Sequence, residues 1–243
     1  MKYFLITVLI IGIYLNRTYA YFYNYQGSNF IANPAYPSSH LFQKSDKFET
    51  KKLAILGDSL MKGTGSTKEE NSLAYLIASN LALGQNIEMH NFSHPGVGIK
   101  DVYERQLPEV LKLQPNYVIV MIGTNDVHNK VSISTFNDLY RETLNKLLSE
   151  TDAQVNVVNI PLIGSNRILV KPWDLVLDFR IQEFNKVIAA QISGKKDVKL
   201  IDLYSQSENK FRESSDLYAV DEFHPSDKGY STWANYINSQ LER

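Results

Sequence analysis

Four short segments carry side chains able to perform acyl transfer: Gly57-Asp58-Ser59-Leu60, Asn91-Phe92-Ser93-His94-Pro95-Gly96, Gly123-Thr124-Asn125-Asp126 and Asp221-Glu222-Phe223-His224-Pro225. Ser59 offers a hydroxyl nucleophile, and His224 an imidazole that can take its proton. Asp221 stands three residues before His224, so in a helical turn or tight loop its carboxylate faces the same way as the ring. It can then accept the proton on one ring nitrogen and leave the other nitrogen free to deprotonate Ser59. The Asn125 side-chain amide and the backbone N–H groups of Ser59 and Gly96 can donate to the oxyanion of a tetrahedral intermediate. Taken singly, each segment has an ordinary structural use. Gly-Asp-Ser is a turn or helix cap, Asn-Asp after a strand is a cap, and Asp-x-x-His-Pro is a surface pair ahead of a helix-starting proline. Their combination carries the argument.

The elements between these segments place them on one edge of a sheet. The apolar run Leu53–Leu56, the strong strand signal Tyr117–Ile122 and the strand candidates Ile87–Phe92, Val155–Ile160 and Val198–Leu203 predict five strands. Between them, apolar residues recur at helical spacing. Leu73, Leu76, Ile77 and Leu81 form one such face before Gly84, and a helical stretch interrupted at Pro108 follows the second strand. Phe136, Leu139, Tyr140, Leu144 and Leu147 form the next, with Ser132 or Ser134 as the cap. Leu177, Ile181, Phe184, Ile188 and Ile192 line another, and Tyr230, Trp233, Ala234, Ile237 and Leu241 the last. Strand and helix in alternation imply a parallel sheet with helices on both faces, joined by right-handed crossovers. In such a sheet ligands bind beyond the carboxyl ends of the strands, where Ser59, Gly96 and Asn125 each fall.

A chain of 243 residues with 44% hydrophobic content supports one substantial core. The net charge of −1, with Lys and Arg scattered, gives no basic field for nucleic acid. Residues 1–20 read as an export signal: Lys2, an apolar run from Tyr3 to Leu15, then a polar stretch closing on Ala20. The alternative is an uncleaved anchor that tethers the chain to a membrane through residues 3–15, because Tyr19 to Tyr23 prolong the apolar character. Residues 21–50, rich in Tyr, Phe, Asn, Ser and Pro, are expected as a linker or an arm on the domain, which occupies 51–243. Cysteine is absent, which removes disulfides, thiolate nucleophiles and cysteine-held metals.

With those residues in hand, the chain from Lys52 onward resembles the GDSL/SGNH hydrolase family, whose four signature blocks the four segments match in order. The resemblance implies a three-layer flavodoxin-like sandwich and a serine esterase that needs no cofactor and no metal. It also implies roles: Ser59 as nucleophile, Gly96 and Asn125 completing the oxyanion hole with Ser59, Asp221 orienting the base, and His224 as that base. His94-Pro95 inside the second block is less usual, since proline constrains the loop carrying the Gly96 donor. His90 and His94 lack a surrounding metal-binding pattern, and His128 either lines the pocket or faces solvent. Gly63-Thr64-Gly65-Ser66-Thr67-Lys68 lacks the phosphate-loop signature and is expected as a flexible wall beside Ser59. Segments Ile163–Asp174 and Ser205–Ser215 are expected to cover or rim the site.

The expected partner is a small-molecule, glycan or lipid ester. The acyl chain is expected to be short, since no long apolar insertion exists to shelter a fatty chain. Two other readings remain open at this point: an acyltransferase or deacetylase acting on surface polysaccharide, and a non-catalytic surface-binding module on a hydrolase-like scaffold.

Overall fold

The computed structural model describes residues 2–28 and 31–241. In chain order the elements are α1 (Lys2–Ser28), β1 (Ser39–Phe42), β2 (Thr50–Gly57), α2 (Ser59–Lys62), α3 (Leu73–Leu81), β3 (Asn86–Asn91), α4 (Ile99–Asp101), α5 (Leu107–Leu113) and β4 (Tyr117–Met121). They continue as α6 (Thr124–His128), α7 (Ile133–Glu150), β5 (Gln154–Val158), α8 (Trp173–Ile192), β6 (Val198–Ile201), α9 (Leu203–Glu213) and α10 (Asp227–Gln240).

The sheet runs β1-β3-β2-β4-β5-β6, and every pair is parallel except β1 with β3. The five strands read from the apolar runs are all present, in the doubly wound flavodoxin-like order. The sixth, β1, is an added antiparallel edge lying inside the segment expected as a linker or arm. Its sequence, Ser-His-Leu-Phe, has only alternating half-burial, too faint a pattern to stand out. After β1 the chain turns under a clamp made by Asn86, whose Oδ1 accepts from Lys44 N and Ser45 N while its Nδ2 donates to the carbonyls of Ser45 and Phe48.

The helices form two layers, α3, α9 and α10 packing together on one face and α5, α7 and α8 on the other. Burial explains the split. Trp233 of α10 stacks on Phe211 of α9 at 4.9 Å, while Phe136 of α7 meets Phe184 of α8 at 4.6 Å on the opposite side. Ser132 caps α7, accepting from Thr135 N.

The helical stretch after β3 is not broken at Pro108. It runs from Ile99 to Leu113, with a wider π-helical turn at Val102–Gln106 just before the proline. A proline lacks the N–H that a continuing helix needs and crowds the preceding turn, so the widened turn lets the chain pass through it. That turn also aims the buried Gln106 side chain at the end of β2. Its Oε1 accepts from Gly57 N at 3.0 Å and its Nε2 donates to Gly57 O at 2.9 Å. A side-chain amide thus takes the place of a strand neighbour two residues before Ser59.

Helix α1 carries an 18-residue apolar stretch, Phe4–Tyr21, with mean hydropathy 1.4 and no buried residue. It is long and apolar enough to cross a membrane, and is compatible with a signal peptide or an anchor. It continues unbroken through the polar stretch ending at Ala20. It meets the domain at the start of α8, where Tyr14 Oη donates to Lys171 O (2.8 Å) and Trp173 Nε1 donates to Thr18 Oγ1 (2.9 Å).

Replacing Gln106 by Ala leaves both buried polar groups of Gly57 without that partner. Thermal or urea unfolding should show a loss of about 1–3 kcal/mol, and turnover should fall with it. Unchanged stability would mean that water replaces the amide without cost.

Candidate active site

β2 and β4 lie side by side, while β3 and β5 flank them on opposite sides, so the crossovers leaving this pair part to the two faces of the sheet. This is the switch point at which an open parallel sheet leaves a crevice beyond its carboxyl edge. Ser59 begins one-turn helix α2 immediately after β2, with Asp58 as its cap accepting from Leu60 N. Gly96 lies in the loop after β3, and Asn125 in the first turn of α6 after β4.

The carboxyl-terminal partner arrives by an Asx turn. Asp221 Oδ1 accepts from both Phe223 N and His224 N at 3.0 Å, which leaves Oδ2 for the ring, 2.6 Å from His224 Nδ1. His224 Nε2 lies 2.9 Å from Ser59 Oγ. Burial works to raise the Asp221 carboxyl, but the hydrogen bond and charge of His224 outweigh it and hold the carboxyl below its ordinary value. The carboxylate therefore stays ionised and fixes the proton on Nδ1, leaving the Nε2 lone pair toward the hydroxyl.

The Gly-rich connection after α2 is what brings the two ends together. Gly65, at φ +98°, packs so closely beneath the Pro225 carbonyl that an added Cβ would sit 2.5 Å from that oxygen. Tyr230 Oη donates to Thr64 O at 2.6 Å, and the Asp227 carboxylate accepts from Thr67 N and Thr67 Oγ1. The expected flexible wall is thus pinned to the turn that bears His224.

On the oxyanion side, Asn125 Nδ2 donates to Val97 O at 2.9 Å, which fixes the amide plane and leaves its second N–H available. Both carboxylate oxygens of the buried Asp126 accept from Ile99 N, so the loop carrying Gly96 is tied to α6 at a second point. Gly96 adopts φ +81° with open space where a Cβ would be, so its backbone conformation, not crowding, calls for glycine. His94 N donates to Gly57 O at 3.3 Å, drawing the same loop toward β2 despite Pro95.

The remaining expected residues fall as follows. Segment 163–174 packs on the Asp221–His224 turn: Ser165 N donates to Glu222 O, Tyr218 Oη to Gly164 O, and Arg167 pairs with Glu222 at 2.7 Å. Residues 205–213 belong to α9, which braces that segment through Asn166 Nδ2 and Arg212 O. His128 sits edge-on to Phe223 at 5.2 Å and lines an apolar pocket of about 130 Å³ with Val127, Leu169 and Trp173. Burial pushes its imidazole down to about 4, so it is neutral at physiological pH. His90 pairs with Glu88 at 3.0 Å, and among the described residues no group of three His, Asp or Glu side chains is arranged to hold a metal ion.

Against this geometry, a sequence profile of the GDSL-like lipase/acylhydrolase family matches residues 55–231. The chain belongs to that family. It is accordingly a serine-dependent ester hydrolase on an α/β fold. Similar solved structures include the lipase/acylhydrolase from Enterococcus faecalis, at 23% identity and TM-score 0.62, covering 78% of this chain and 94% of that one. They also include TesA, at 20% identity and TM-score 0.65, covering 79% and 98%. The acetylxylan esterase Axe2 from Geobacillus stearothermophilus shares 17% identity at TM-score 0.58, covering 79% and 95%. At these identities the likeness is one of fold. No curated protein sequence matches the chain.

Two buried carboxyls of this GDSL-like domain carry no sign of their burial in the sequence. Burial pushes Asp58 up to about 7, against the Leu60 N–H and the pull of His224, with Asp126 adding to the rise. Burial likewise pushes Asp126 up to about 6, against the hydrogen bond from Ile99. Asp58 follows Gly57 and caps α2, and Asp126 sits in the first turn of α6, so both read simply as helix-start residues. Both raised values mean the folded chain holds protons that the unfolded chain releases near 3.8, so their contribution favours folding at low pH and is lost as pH rises toward about 7. Asp58→Asn should flatten the decline of Tm across that window, measured by thermal scans at fixed ionic strength. Asp126 should leave a smaller decline of the same sign. An unchanged profile would place the titration elsewhere.

Proposed function

We propose that the chain is an exported esterase that cleaves a carboxylic ester of a short acyl group through an acyl-enzyme on Ser59. The observation that carries this is the hydrogen-bonded run Ser59–His224–Asp221 at 2.9 and 2.6 Å. Ser59 Oγ attacks the ester carbonyl while His224 Nε2 takes its proton, and Asp221 steadies the imidazolium that results. The oxyanion is received by the N–H groups of Ser59 and Gly96 and the free N–H of Asn125. Collapse breaks the bond to the alcohol, which leaves with the proton from His224. Water then attacks the acyl-enzyme with the same proton transfers, restoring Ser59. Protons and electron pairs balance within these groups and water, so the cycle calls for no cofactor.

The short acyl chain is supported by the sequence, in which no long apolar insertion exists to shelter a fatty chain. A second reading concerns the alcohol. A groove of about 390 Å³ adjoins the loop that carries Gly96, with Phe92, His94, Pro95, Asp101 and Arg105 in its lining. Aromatic and charged groups together suit a sugar, which favours deacetylation of, or transfer to, a polysaccharide. Export is supported by α1, and the bonds that join Tyr14 to Lys171 O and Trp173 Nε1 to Thr18 support a retained anchor over cleavage after Ala20.

Release of p-nitrophenol from the acetate ester should fall by at least about 10³ in Ser59→Ala and in His224→Ala, and a fluorophosphonate should label wild type at Ser59 alone. Activity retained by both variants would remove the assignment and leave the binding-module reading. Across p-nitrophenyl esters, kcat/KM should drop from acetate and butyrate to palmitate. Equal or better turnover of palmitate would overturn the short-chain reading.

A further inference from the structure

The apolar helix does not merely precede the domain; it lands on it within its own hydrophobic length. Besides the bonds from Tyr14 and Thr18, the Tyr19 ring tilts against Trp173 at 5.6 Å, and the Lys130 ammonium lies 6.0 Å from the Tyr19 ring. At about 1.5 Å per residue, Tyr14 is roughly 10 Å back along the helix from Tyr21, where the apolar stretch ends. A span seated in a bilayer would therefore carry the start of α8 through the headgroup layer into the membrane interface, about 10 Å below the level of Tyr21.

The surface of α8 at that point suits such a place. Leu175, Val176 and Phe179 are 59, 46 and 64% exposed, and their spacing puts them on one turn of the helix. The other exposed large hydrophobics outside α1, among the described residues, are Leu41, Phe48, Leu83, Ile133 and Val220, scattered over different elements. Single exposed apolar residues are ordinary, but three together beside a span-length helix form a patch. Exposed Arg17, Lys130 and Lys171 border the landing; of the two acidic residues in the first turns of α8, Asp174 is half-buried and Asp178 is held by Arg212 at 2.9 Å.

We propose that the first turns of α8 dock on an anionic phospholipid bilayer, with Leu175, Val176 and Phe179 entering the interface beside α1. Trp173 and Tyr19 then lie near the depth where amphipathic aromatic rings are favoured, and the three cations extend on their long side chains up to lipid phosphates. Because α8 starts beyond the carboxyl end of β5, the edge bearing Ser59 faces the membrane surface and works on esters held there. The inference rests on retention of α1, as proposed above, and not on the identity of the ester.

The cysteine-free chain allows a direct test on the full-length protein. Single substitutions Phe179→Cys, Leu83→Cys and Leu9→Cys are labelled with an environment-sensitive NBD dye and reconstituted with vesicles of phosphatidylcholine and phosphatidylglycerol. Leu83 precedes β3 on the opposite rim of the sheet and reports water. The expected result is a blue shift at position 179, with quenching by shallow spin-labelled lipid several-fold above that at 83, and deep quenching at 9. A water-like signal at 179 with deep quenching at 9 overturns the docking while leaving the anchor intact. Water-like signals at both 9 and 179 overturn the anchor and the docking together.

Discussion

A hydrogen bond of 2.9 Å joins His224 to Ser59 across 165 positions of sequence, and nothing local to either residue can maintain it. Holding two chain ends in one geometry opposes the entropy of both, so the bond exists only if the surrounding contacts are already fixed. The fixing is done by backbone packed on backbone at Gly65 and Pro225, and by Thr64 and Thr67 bonded to Tyr230 and Asp227 on α10. Helix α10 is in turn seated by the Trp233–Phe211 stack in the layer it shares with α9. The chemistry thus depends on the core of one helical layer, through a chain of contacts that can be followed residue by residue.

A good part of this was legible in the amino-acid sequence, for identifiable reasons. Strands buried on both faces are continuous apolar runs, so the parallel strands announce themselves, and Tyr117–Met121 does so most strongly. The reactive residues sit just after those runs because sheet topology puts useful loops there. What escaped notice depends on approach distance and burial, which a linear pattern does not encode. Gln106 looks like any helical polar residue until the π-helical turn aims it at Gly57, and Pro108 looks like a break until that same turn makes room for it. β1 is a four-residue edge with one half-buried side, so its alternation is too brief to register.

The electrostatics divide the acidic residues of the site by environment. Asp221 receives two backbone N–H groups and the imidazole and stays ionised, whereas Asp58, fully buried beside the nucleophile, resists ionisation. One carboxylate is thereby reserved for His224, while burial makes the other costlier to ionise.

The path of the chain from α1 has a mechanical consequence. Once the bonds of α1 to the start of α8 give way, a pull on the helix travels through residues 31–38 into β1, a four-residue edge strand, and from there into the turn gripped by Asn86. Tension would therefore peel the weakest strand first and stop at a four-bond clamp before reaching β2. A domain pulled from its amino end would lose that outer strand under load and still keep the strand behind Ser59 seated in the sheet.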